Sequence, residues 1–364
     1  MTYKYRGTQP SGLGTTTATR WVAGTHLQHI GYAANADLTS WTFYDRINDG
    51  TPDAIDLAYG KDASGNAIYC CTNDSSNKEV SVSSTDVTDG NAWTHIDLDT
   101  GGNDQFVIKW TERSNGAAAG VWVTVGKQDS NKSYYRSTDG AANWSEISLN
   151  GITGHTTDKI TALAGDGSGN WMMAQNDRIY YSTDDAASFS LAHTFTGENI
   201  TKITGLVYTS ATWVISYERS TASNKTFLRS CAASDVTDWG SEFGGGDLPN
   251  YGSGNISRTT IVAYQGRILV LPHARRKVAY ADVSGKTNSN YNVVNLDDVS
   301  GMPSGDDMRD AATDGNKWLL VGEDGLLLES TDNAENWSLK ATGIQSGNVT
   351  EDITCIVGNV HGPL

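Results

Sequence analysis

One feature constrains this chain more than any other: it repeats. An aromatic residue following a short polar turn recurs at Trp41, Trp93, Trp144, Phe189, Trp239, Tyr291 and Trp337, at steps of 52, 51, 45, 50, 52 and 46 residues. A fixed period in this range predicts stacked units, none of which can bury its own apolar face alone. Each unit places a short strand before the turn: "HIGYA", "EVSVSST", "SYYRST", "RIYYST", "TFLRS", "KVAYA" and "LLLEST". A more apolar strand precedes it: "RWVAG", "AIYCC", "VWVTVG", "NWMMA", "TWVIS", "RILVL" and "KWLLVG".

A first strand leads most units, as in "DAIDLAY", "DQFVIKW", "DKITALAG", "ITGLVY", "TTIVAY" and "DMRDAAT". The unit ending at Trp41 lacks it, because "GLGTTTAT" stands in its place, whereas "DITCIVGN" at 352–359 matches "DKITALAG" with no unit after it. The C-terminal segment is therefore expected to supply the inner strand of the first unit, covering two sheet edges that would otherwise invite aggregation. The expected fold is all-β: a single seven-bladed β-propeller of four-stranded blades over residues 19–364, with residues 1–18 an extended N-terminal arm outside the pattern.

Composition agrees and removes several function classes. Thirty-nine Gly among 364 residues, with abundant Ser, Thr, Asn and Asp, suits short strands joined by polar turns. The formal net charge of −16 opposes adhesion to nucleic acid or an anionic membrane. No apolar run resembles a membrane span or a signal peptide, so neither membrane insertion nor export is expected. Cys70, Cys71, Cys231 and Cys355 show no metal or redox spacing and read as buried thiols. His26 and His29 share a loop without a third ligand, and no zinc, phosphate-loop, dinucleotide or nucleophile-elbow motif occurs, so no metal and no cofactor are expected.

Three polar turns share one arrangement: Ser137/Asp139/Trp144, Ser182/Asp184/Phe189 and Ser330/Asp332/Trp337. They resemble the Asp-box, or bacterial neuraminidase repeat, whose pattern is SxDxGxTW; Ala141 stands for the glycine and Asn143 for the threonine. Four units carry a second form, "ADLTSW", "TDVTDGNAW", "SDVTDW" and "ADVSGKTNSNY". A short-armed carboxylate in a turn accepts backbone amide hydrogen bonds, so these residues are expected to pin hairpins rather than catalyse. The resemblance implies that they join the third and fourth strands, on the face opposite the usual active site.

Asp-box propellers include glycosidases, receptors, assembly factors and phage virion proteins, so the resemblance does not decide function. A sialidase-like site would need converging arginines, for which Arg46, Arg178, Arg219, Arg275 and Arg276 are the candidates, and a tyrosine nucleophile assisted by a glutamate, for which Tyr217 and Glu218 stand beside Arg219. Another glycosidase would need a carboxylate pair, for which Asp306, Asp307 and Asp310 are close in sequence. The basic run of Arg275, Arg276 and Lys277 and the arm residues Tyr3, Lys4, Tyr5 and Arg6 are candidate partner-binding groups. The main expectation is a non-enzymatic binding or assembly module that looks like a bacteriophage virion component, in the tail or attached to the capsid. It would be made in the host cytoplasm and would contact other virion proteins or a host-surface glycan. The alternatives are a carbohydrate-active enzyme and a cytoplasmic assembly factor for a bacterial complex.

Overall fold

The computed structural model describes residues 20–26, 29–34, 36–44, 54–73, 78–83, 93–99, 105–126, 133–220, 225–244, 248, 259–272, 275–288, 291–346, 349–350 and 352–358. They form seven four-stranded antiparallel sheets, and in six of them the sheet is a meander in which neighbours in sequence are neighbours in space. Blade two, for example, runs through Ala54–Lys61, Ala67–Asn73, Lys78–Ser83 and Trp93–Asp99. The first strands of successive blades touch one another around a closed ring.

Closure follows the expected route. In blade one the strand order is Asp37–Tyr44, Ile30–Ala34, Arg20–Thr25 and Ile353–Gly358, so the C-terminal strand is innermost. It pairs Trp21 with Gly358, Val22 with Val357 and Gly24 with Cys355. A two-stranded hairpin, Gln345–Ser346 with Val349–Thr350, interrupts the chain before this strand and touches Asp37–Tyr44. The repeat pattern does not announce it.

Burial explains the strand order. Second strands such as Val121–Gly126, Trp171–Gln175 and Trp318–Gly322 are buried at every position, because blades cover both of their faces. Fourth strands such as Ser145–Ser148 and Ser338–Ala341 hold only exposed and half-buried residues, at the rim. Five second strands carry a fully buried tryptophan at their first or second position: Trp21, Trp122, Trp171, Trp213 and Trp318. The core is divided into seven apolar clusters, one for each junction between neighbouring blades. A blade alone therefore has no core, and stability belongs to the ring.

The four cysteines are free and buried. No described helix is long and apolar enough to cross a membrane. The arm, with Tyr3, Lys4, Tyr5 and Arg6, lies outside the described residues, as does Arg46.

Candidate functional site

The seven inner strands line a central channel of about 270 Å³. The starts of these strands carry its polar groups, and most of them tie one blade to the next. Asp56 accepts hydrogen bonds from the backbone N–H of Ile108 at 3.0 Å and from Lys109 Nζ at 2.9 Å, joining blades two and three. Thr161 donates to the carbonyl of Ile203, joining blades four and five, and Thr204 donates to Thr259 at 3.0 Å, joining five and six. Asp310 accepts from Thr260 at 2.8 Å and from the N–H of Ile356 at 2.9 Å, linking blade seven to six and to one. Thr354 donates to the carbonyl of Ala54, linking blade one to two. Inner strands of blades one, two, three, five and seven begin with a register shift. Such a bulge turns a side chain off the regular pleat, which brings Thr204 and Thr354 to their inter-blade partners.

The opposite end of the channel is the end where the Ser–Asp turns lie, since they connect third to fourth strands. Ser137 Oγ donates to Asp139 Oδ1 at 2.8 Å and accepts from the N–H of Ala141 at 3.0 Å. Asp139 also accepts from the backbone and side-chain nitrogens of Asn143, at 3.0 and 2.7 Å. Asp184 and Asp332 hold Ser188 and Asn336 in the same way. Burial raises these three carboxyl groups, but the hydrogen bonds they accept outweigh it and leave each below its ordinary range. Position five of the turn is left-handed, with φ of 63° at Ala141, 59° at Ala186 and 66° at Ala334. The shorter turns share a further feature: the indole N–H of Trp41 and Trp239 bonds to the carbonyl three residues earlier, as does that of Trp144.

A second family of aspartate turns escaped the sequence reading. Asp62 and Asp166, between first and second strands, hold Asn66 and Asn170 by the same pair of bonds that joins Asp139 to Asn143. The signal was present as "DASGN" and "DGSGN". At Gly140 a side chain would come within 2.3 Å of the Ala63 backbone, so the Ser–Asp turn of blade three seats directly on the Asp62 turn of blade two.

The enzymatic candidates separate in space. Tyr217 donates to Glu242 at 2.6 Å, and Arg219 and Arg229 reach the same pair, at 3.0 Å from Glu242 and 3.2 Å from the phenol oxygen. Tyr217 is completely buried in the junction between blades four and five. Burial, and then the Glu242 carboxylate, push its phenol well above the ordinary range, so it stands as a neutral hydrogen-bond donor to Glu242. Glu218, its sequence neighbour, is not the residue on its hydroxyl. Asp310 turns into the channel, whereas Asp306 and Asp307 remain in the loop before it. Burial, together with Asp324 beside Asp306 and Glu323 beside Asp307, raises these two carboxyls.

Arg276 is committed internally: its guanidinium contacts Asp297 and the carbonyls of Pro303 at 2.7 Å and Asp306 at 2.6 Å. Arg275 forms a bridge with Met308, and Lys277 begins the third strand of blade six. On blade two, Glu79, His95 and Asp97 bring metal-ligand atoms together from two strands, an arrangement that linear spacing hides.

No family model and no curated protein sequence matches the chain. Solved structures similar in fold include a YCF48 protein bound to a D1 peptide, at 16% identity and TM-score 0.51, over 80% of this chain and 82% of that one. YCF48 from Cyanidioschyzon merolae is similar at 12% identity and TM-score 0.52, covering 86% and 97%. A functionally unknown protein from Desulfotomaculum acetoxidans DSM 771 is similar at 11% identity and TM-score 0.59, covering 96% and 100%. At these identities the likeness establishes the propeller and nothing finer.

Proposed function

We propose that the chain is a non-catalytic binding propeller that serves assembly, engaging a partner protein at the face where the inner strands begin. The observation that carries this reading is the state of Asp56 and Asp310, the carboxylates that line the channel among the described residues. Each is buried and holds a neighbouring blade through a backbone N–H, so each braces the ring instead of facing a substrate. A rigid ring with variable loops is suited to recognition by loop chemistry.

Within this reading the three Ser–Asp turns are Asp-boxes with a structural role, and the arm residues Tyr3, Lys4, Tyr5 and Arg6 anchor the propeller to its assembly. Lys277 is the member of the basic run to test first for partner contact, because Arg276 is occupied. The peptide carried by the similar YCF48 protein favours an assembly factor over a virion component, and a protein partner over a glycan.

The test places a photo-crosslinking residue at Asp324, on the proposed face, and in a second protein at Asn143, on the Ser–Asp turn face. The expected result is one reproducible protein adduct from Asp324 and none from Asn143 in the cell of origin. Equal labelling from both faces, or hydrolysis of any member of a glycan panel by the purified protein, would overturn the reading.

A further inference from the structure

We propose that Glu79, His95 and Asp97 form a binding site for a divalent transition metal of the zinc class. In blade two, strand pairing sets Glu79 opposite Asp97 and Ser81 opposite His95. Opposed residues, and residues two apart on a strand, share a face, so all three side chains project from the same side of the sheet. His95 Nε2 lies 3.2 Å from Glu79 Oε1 and 3.1 Å from Asp97 Oδ1, and the three atoms lie within 4.8 Å of one another.

Those separations match what a small cation requires. Zinc bonds of about 2.0 to 2.2 Å place the ligands of a tetrahedron about 3.3 to 3.6 Å apart, so small side-chain adjustments admit the ion at the common centre. One imidazole with two carboxylates is the mixed donor set that suits zinc, cobalt or nickel, whereas calcium seeks six or more oxygens. The burial gradient also fits a site with one closed wall and one open position. Glu79 is 4% exposed, while the Asp97 side chain is 66% exposed, leaving room for water as the fourth ligand. The Nδ1 atom of His95 is buried without a hydrogen-bond partner among the described residues. Outer-shell partners commonly strengthen metal binding about 10- to 100-fold, so affinity here should be weaker by that factor than in a site whose histidine has such a partner.

The test is calorimetric titration of untagged, metal-free protein with zinc chloride, repeated with cobalt chloride to read the visible bands of a four-coordinate ion. One site per chain is expected, lost in His95→Ala and weakened at least tenfold in Asp97→Asn. Because Asp97 is exposed, the second variant keeps its fold and remains informative if the first does not. No binding by the parent protein, or unchanged stoichiometry and affinity in Asp97→Asn, would overturn the proposal.

Discussion

The carboxylate of Asp310 accepts the backbone N–H of Ile356 at 2.9 Å across the seam between the last blade and the first. The two residues are 46 apart in sequence, and the bond is buried at both ends. Its other oxygen takes the hydroxyl of Thr260, so a single side chain spans three blades. The seam is held by a charge-assisted tie as well as by strand pairing.

We predict that Asp310→Ala costs about 2 to 4 kcal/mol of stability, because it leaves a buried N–H and a buried hydroxyl without their acceptor. Asp310→Asn keeps an acceptor oxygen and should recover part of that loss. Urea denaturation of both variants checks the order. Equal stability of Asp310→Ala and the parent would show that water replaces the carboxylate.

The Ser–Asp turns make acid stability predictable. The carboxyls of Asp139, Asp184 and Asp332 are held lower in the fold than in the unfolded chain. A lowered folded value means that the stabilisation is complete above the unfolded value of about 3.9 and is lost as the pH falls through the folded one. Stability should therefore decline below about pH 4, and the triple Asp→Asn variant should show a shallower decline there. Melting temperatures measured from pH 7 to pH 2.5 decide it; parallel curves for parent and variant would sink the assignment.

Position five of the same turns offers a steric test. Ala334 has φ of 66° and is fully buried, so its methyl packs while its backbone is strained. Glycine relieves roughly 1 kcal/mol of left-handed strain but removes a buried methyl of about 0.8 kcal/mol and loosens the unfolded chain. Ala334→Gly should consequently change stability by less than about 1 kcal/mol, whereas Ala334→Val should lose more than about 2 kcal/mol. A stable valine variant would mean that the turn can leave the left-handed region.

The sequence made the ring legible because its period is written in large residues: an apolar run in the second strand and an aromatic after each turn. Closure could be read because "DITCIVGN" matches the other inner strands. Inter-blade polar ties could not, because partners such as Asp56 and Ile108 lie 52 residues apart and meet only when two blades stack. A separation of 25 residues within blade five hid Glu242 from Tyr217, which sequence proximity had paired with Glu218. The role of Arg276 was missed for a related reason: a basic run looks the same whether its guanidinium faces a partner or its own loop.

Arg276 should behave as a loop staple. Its three contacts hold residues 297–306, so Arg276→Ala is expected to speed amide exchange across that segment by tenfold or more. Arg276→Lys should fare little better, since an ammonium cannot span three acceptors as a planar fork can. Unchanged exchange in both variants would release Arg276 for partner contact.

The closing strand gives the most global prediction. Ile353, Cys355 and Ile356 are buried, and Ile353 and Ile356 pack in the junction of blades seven and one while Cys355 packs in that of blades one and two. Removing residues 353–364 would strip apolar contacts from both junctions, together with the Asp310 and Thr354 ties. Losing two buried isoleucines alone costs about 3 to 6 kcal/mol, comparable to the whole stability of many domains. The truncated chain should therefore aggregate or melt far below the parent, since Arg20–Thr25 becomes an open edge and the face of blade two that packs on the closing strand is uncovered. A synthetic peptide of residues 350–364 added in trans should restore monomer and raise the melting temperature with concentration, because it binds only the folded ring. Rescue would separate loss of the strand from general misfolding. A truncated protein that stays monomeric with the parent's melting temperature would show that the ring does not depend on its last strand.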